Sequence, residues 1–191
     1  MTATSADRIA GVSAVVAGLS WMGWAIANSL SHRALEISAP DSSLMHLGVT
    51  LTVAWNLLLI PAALRLHHSL CTPHRRFALF LTGSGIVSVS VWAIGALTRV
   101  THSLEFIYLV LASIWLLGLA ILMPAQHRRL ARFTLLVGAF TALDAIFNRF
   151  EPMPFLLYAL AAPKLPLSAL WSVSVGVSLL SSRWSAILLF G

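Results

Sequence analysis

The feature that most constrains this chain is a series of apolar segments long enough to cross a lipid bilayer. A spanning helix needs roughly 20 mostly apolar residues, and we place six candidate segments at 9–30, 44–66, 77–98, 104–123, 133–147 and 165–182. Because lipid offers no hydrogen-bond partner to an open backbone, each segment is predicted to be an α-helix. The predicted fold is an all-α, polytopic bundle of six transmembrane helices, forming a single domain over residues 1–191.

Composition excludes an ordinary soluble globule. Only 9% of the residues are charged and 59% are hydrophobic, whereas a soluble domain carries about 25% charged residues. The net charge is +6, but the basic residues do not form a surface in which they alternate with aromatic residues. No nucleic-acid partner is therefore predicted. Cys71 is the only cysteine, and the fold therefore needs no intrachain disulfide.

The distribution of basic residues predicts the orientation. Lys and Arg residues number eight on one predicted side and four on the other, the larger set being Arg8, Arg65, Arg75, Arg76, Arg128, Arg129, Arg132 and Arg183. The positive-inside rule then predicts cytoplasmic termini, in a cell membrane that we expect to be a bacterial inner membrane. The first segment is expected to be a retained helix rather than a signal peptide. The apolar stretch 155–162 is too short to span, and we expect it to lie at the interface or to re-enter.

A polar stripe on the fifth segment indicates a site. Thr141, Asp144, Asn148 and Glu151 follow steps of three or four residues, which place them on one helix face. An ionised Asp at the centre of a membrane helix costs roughly 2.5–3.5 kcal/mol on insertion scales. We therefore expect Asp144 to face protein or water rather than lipid, at the outer end of the bundle.

Arg99 is the predicted partner of Asp144. It ends a similar stripe of polar and small residues on the third segment, which contains Ser84, Ser88, Trp92 and Gly95. The alternative partner is Arg149, which is turned away around the same helix. The pair could be structural or could belong to a ligand site. For a ligand site we expect an outward-facing vestibule that also contains the remaining polar candidates, namely Asn148, Glu151, Glu105, His102 and His46.

Histidines on the outer side raise a metal alternative. Three His residues with a carboxylate can hold a catalytic zinc, and His32, His46 and His102 lie on that side. No His-x-x-x-His or His-Glu-x-x-His spacing fixes their geometry, so no metal is predicted, and the sequence leaves the identity of any cofactor open. A serine hydrolase is not favoured either, because a serine nucleophile needs a base and no histidine follows His127.

Small residues on the first segment can support close helix packing. Ala10, Ala14 and Gly18 recur every four residues, a pattern that lets helix backbones approach each other. The ladder is interpreted as packing within the bundle. The alternative is docking to a membrane partner subunit or to a second copy of the chain.

Two family resemblances follow from particular stretches. "DRIAG" (7–11), "SSLMHLGVTLTVAWNLLLIPAALRL" (42–66) and "TPHRRFALF" (72–80) resemble a bacterial family of multi-pass membrane proteins that is defined as a domain of unknown function. The length, the six predicted helices and the pair Ala10 and Ala14 are similar to substrate-binding components of energy-coupling-factor transporters. The second resemblance implies an outward-facing pocket and a partner docked on the first helix.

Together these patterns favour a non-enzymatic integral membrane protein. We expect an outward-facing polar vestibule that binds or transports a small ligand. The alternatives are a structural or accessory subunit of a larger membrane complex, and a membrane-embedded metal-dependent enzyme.

Overall fold

A computed structural model describes residues 4–37, 42–70, 75–98, 101–123, 127–150 and 154–181. Within these ranges, side chains are described except at 28–37, 42, 45, 69–70, 101–103, 148–150 and 154–162. The described residues form six α-helices: α1 (Ser5–Ile37), α2 (Ser42–Leu70), α3 (Arg75–Thr98), α4 (Thr101–Leu122), α5 (Arg128–Phe150) and α6 (Pro154–Leu180). All six are long and apolar enough to cross a membrane, which confirms the all-α bundle.

The last two helices are longer than predicted. The helix α5 begins at Arg128, and α6 begins at Pro154 and continues through Pro163 and Pro166. The stretch 155–162 is therefore the start of α6, and the re-entrant alternative predicted there is wrong, whereas its position at the membrane interface stays a prediction. A proline inside a helix removes a backbone donor, but neighbouring helices can compensate for this in a membrane protein.

The helices are arranged as a ring in sequence order. Each helix packs against its neighbours in the chain, and α6 closes the ring against α1. We call the end of the bundle where α1, α3 and α5 begin the inner end, since it carries more of the basic residues. The opposite end, where α2, α4 and α6 begin, is the outer end.

Apolar side chains cover the outside of this ring, while polar side chains lie within it. Ile121 is 74% exposed, whereas Asn56 is fully buried. Exposed large apolar residues occur on all six helices, and buried Ser or Thr residues occur on α2 to α6. A soluble protein would not leave so much apolar surface in water. The chain is therefore a multi-pass membrane protein whose apolar exterior contacts the bilayer.

Glycines bring α1 and α6 into backbone contact. A Cβ atom added to Gly176 would lie 2.5 Å from the carbonyl oxygen of Gly11, and one added to Gly18 would lie 2.7 Å from that of Ala169. Ala10 and Ala14 are 2% and 0% exposed, and Gly18 is also buried. The predicted ladder of small residues is thus enclosed within the bundle, and it leaves no surface for a partner subunit at these three positions.

Candidate functional site

Asp144 lies inside the bundle, near the outer end of α5. It is within the last turn of the span Arg128–Phe147 and is 6% exposed. Its carboxylate therefore faces protein rather than lipid, as the cost of an ionised carboxylate in a membrane requires.

The ion-pair partner of Asp144 is Lys164 of α6. The Lys164 ammonium donates a hydrogen bond to Asp144 Oδ2, and both side chains are almost completely buried. Arg99, the partner predicted from the sequence, lies outside the described residues, so that pairing stays a prediction. Sequence reasoning missed Lys164 because Pro163 and Pro166 on either side of it are typical of a loop, whereas the helix continues through both.

Tyr108 and Glu105 both lie on α4. Tyr108 is buried, and Glu105 lies one helical turn before it on the same helix. The Tyr108 ring stacks on Trp92 of α3 with ring centroids 4.8 Å apart. The predicted place of Glu105 beside Asp144 in a vestibule stays a prediction.

A cavity of about 30 Å³ lies on the inner side of the ion pair. Thr141 and Ser168 line it; Thr141 lies one helical turn inward from Asp144, and Ser168 lies one turn inward from Lys164. Ser88, which belongs to the stripe predicted on α3, adds a third hydroxyl. The remaining walls are aliphatic or aromatic, the aromatic ones being Trp55, Tyr108, Trp115 and Trp171.

Hydrogen bonds hold several of the tryptophans near this cavity in place. The indole N–H of Trp171 donates to Thr134 Oγ1 at 2.9 Å, and that of Trp55 faces Ser172 Oγ at 3.4 Å. The buried indole N–H of Trp115 has no hydrogen-bond partner among the described residues. Since a buried donor normally has a partner, Trp115 is a candidate donor to a water molecule or to a ligand.

Aliphatic side chains close the bundle between the cavity and the inner end. Four of them, the inner apolar layer, lie inward of the cavity-lining residues on their own helices: Leu66, Leu119, Leu130 and Leu179. They are at most 8% exposed and belong to one continuous core. The cavity is therefore separated from the inner end by packed hydrocarbon.

A second buried ion pair lies at the inner end. Arg65 Nε of α2 donates to Asp7 Oδ1 of α1 at 2.6 Å. Asp7 Oδ2 accepts from both the backbone N–H and the hydroxyl of Thr4, and the Asp7 N–H faces Thr4 Oγ1 in return. These reciprocal bonds form a capping box at the start of α1. Sequence reasoning missed this pair, although the Thr-x-x-Asp spacing of 4–7 was a usable signal.

The other predicted site residues are not brought together in the described part of the chain. His46 is exposed on α2, Glu151 lies outside the described residues, and the side chains of Asn148 and His102 are not described. Where side chains are described, no three His, Cys, Asp or Glu residues are close enough to hold a metal ion. The roles predicted for these four residues stay predictions.

Comparisons with family models, with curated proteins and with solved structures give no match. The two resemblances suggested by the sequence therefore stay predictions, and the functional argument rests on this chain's own geometry.

Proposed function

We propose that this membrane protein is a carrier for a small polar solute, which it binds from the outer side at Asp144 and Lys164. The observation that carries the proposal is a buried ion pair whose two members lie one helical turn outward of Thr141 and Ser168, which line a cavity with hydroxyl and aromatic walls. Ligand sites are typically concave and mostly apolar, with a few convergent polar groups. The ion pair and the cavity together have this composition.

The limited number of bonds made by the pair supports a role in binding. Among the described residues, Asp144 and Lys164 form a hydrogen bond only with each other. An ammonium has three donors and a carboxylate has about four acceptor sites. Within the described part of the chain, the pair thus leaves several of these sites to a solute or to water molecules.

The inner apolar layer favours a carrier over a channel. A channel needs a continuous polar path, whereas packed leucines separate this cavity from the inner end. A solute that enters from the outer side is therefore held at the cavity until the helices rearrange. Access that alternates between the two sides of a membrane requires such a closed inner barrier.

Cysteine labelling from the outer side tests this proposal. Thr141→Cys places a thiol at the cavity, and Thr134→Cys is a matched control two turns further inward on the same helix. Both variants are made in a Cys71→Ser background and treated with silver ions, which react with thiols, do not cross the bilayer and are small enough for the cavity. Thiols that remain are then counted with a maleimide after unfolding. We expect Thr141→Cys to react from outside and Thr134→Cys to remain unreacted. An unreactive Thr141→Cys, or one that reacts only from the cytoplasmic side, would contradict the proposal.

A further inference from the structure

We infer that the solute is a small zwitterion, an α-amino acid with a side chain of only one or two heavy atoms. This inference rests on the proposed function, because it assigns a ligand class to the same site. It follows from the charge balance of the ion pair and from the size of the cavity beneath it.

Charge balance favours a ligand that carries both signs. A ligand with only an amino group would pair with Asp144 and leave the Lys164 ammonium without its partner. A ligand with only a carboxylate would leave Asp144 alone in the same way. Stranding one member of a buried pair weakens binding by about a hundredfold or more. A zwitterion avoids that cost, because its ammonium pairs with Asp144 while its carboxylate pairs with Lys164.

The position of the pair suits an α-amino acid in particular. Both charged groups of such a ligand are attached to one carbon, which keeps them close together, as the two oppositely charged side chains are in the pair. Thr141 and Ser168 lie one turn inward from the two charges. The side chain of a ligand held by its charged groups would therefore enter the cavity.

The size of the cavity limits that side chain. A volume of about 30 Å³ holds about two water molecules, since one needs at least 10–15 Å³. A methyl or hydroxymethyl group fits this space, and an indole ring does not. Trp115 packs closely against Gly85, where an added Cβ atom would lie 2.5 Å from the Trp115 ring. The Trp115 ring, which forms one wall of the cavity, therefore has little room to move toward α3 and enlarge the cavity.

The test uses L-alanine and two molecules that each carry one of its charges. The purified chain in lipid nanodiscs is titrated calorimetrically with L-alanine, ethylamine and propionate, and with L-tryptophan as a size control. We expect saturable binding of L-alanine, binding of ethylamine and propionate at least a hundredfold weaker, and no binding of L-tryptophan. Equal binding of either single-charge probe, tight binding of L-tryptophan, or no binding of L-alanine would each overturn the inference.

Two double variants link the binding to the outer pair. Asp144→Asn with Lys164→Gln keeps the shapes of the two side chains but removes both charges, and we expect it to weaken L-alanine binding at least tenfold. Asp7→Asn with Arg65→Gln is the matched control at the inner end, and we expect unchanged affinity in the folded fraction. Unchanged binding in the first variant would overturn the inference.

Thiol labelling at residue 141 shows whether only the proposed ligand class is wrong or the proposed carrier function is wrong as well. If Thr141→Cys reacts from outside but L-alanine does not bind, the ligand class is wrong and the outward-facing site stands. If the thiol does not react from outside, both proposals fail.

Discussion

The two buried ion pairs of this bundle have the same chemistry but different surroundings. At the inner end, Asp7 accepts from Arg65 and also from the backbone and hydroxyl of Thr4. At the outer end, Asp144 accepts only from Lys164 among the described residues. Core residues Ala10 and Leu66 follow the inner pair on α1 and α2, whereas the cavity-lining residues Thr141 and Ser168 lie one helical turn from the outer pair.

This difference indicates what each pair does. Removing water from two charges is costly, and the cost is recovered only where further hydrogen bonds satisfy the remaining polar groups. The Asp7 carboxylate has those bonds, and it also caps the helix that it belongs to. It therefore anchors the start of α1 to α2. Among the described residues the outer pair has no such further bond, which supports the proposal that a ligand offering both charges replaces it.

The largest expected effect is that of Asp7→Ala, which leaves Arg65 buried without its carboxylate. Loss of one member of a buried pair costs about 3–5 kcal/mol, and part of this loss overlaps with the loss of the helix cap. We expect the free energy of unfolding, measured in mixed detergent micelles by tryptophan fluorescence, to fall by about that amount. Arg8→Ala, which changes an exposed neighbouring charge, should alter it by less than about 0.5 kcal/mol. A loss below about 1 kcal/mol for Asp7→Ala would remove the contrast between the pairs.

A smaller effect is expected at the outer end. Asp144→Ala strands Lys164, but this side chain lies near the outer end of its span, so its ammonium can reach water by snorkelling. We expect the free energy of unfolding to fall by about 2 kcal/mol, which is less than the cost of about 3–5 kcal/mol for breaking a buried pair that cannot reach water.

The double variant Asp144→Ala with Lys164→Ala should have a free energy of unfolding closer to that of the wild type. Removing both members leaves neither charge without its partner. The same unfolding measurement applies to both variants. A double variant as unstable as the sum of the two single variants would show that the outer pair anchors the fold as the inner pair does.

An effect similar in size to that of Asp144→Ala is expected where α1 and α6 meet at the inner half of the bundle. Gly176→Ala would place a Cβ atom 2.5 Å from the Gly11 carbonyl oxygen, a backbone atom that cannot rotate away. We expect the free energy of unfolding to fall by about 1–3 kcal/mol, as is typical when a side chain is added to a well-packed interior. Gly83→Ala is the control, because nothing lies within 4 Å of its added Cβ atom, and it should leave stability equal or slightly higher. Equal effects at both glycines would show that the inner half is not tightly packed.

Much of the fold could be predicted from the sequence because a bilayer restricts the choices. Apolar length and internal backbone bonding together require helices, and the six predicted spans are confirmed. The boundary of α6 was wrong because Pro163 and Pro166 are loop signals in water, whereas a membrane bundle tolerates them within a helix.

The site was only partly predictable for a related physical reason. Asp144 could be found because a carboxylate in an apolar run must face protein. Its partner depends on which helices become neighbours, and that information is not local. Lys164 lies beside Asp144 because α6 follows α5 around the ring. The cavity results from the packing of five helices, and no short stretch of sequence encodes it.

The labelling rate of Thr141→Cys from the outer side tests the central claim most directly. It is measured in three backgrounds: with both ion pairs intact, with Asp144→Asn and Lys164→Gln, and with Asp7→Asn and Arg65→Gln. If the outer pair closes the cavity, its neutralisation should raise the rate about tenfold, equivalent to about 1.4 kcal/mol, and neutralising the inner pair should leave the rate unchanged. An unchanged rate without the outer pair, or an equal rise without the inner pair, would contradict the assignment of separate roles to the two pairs.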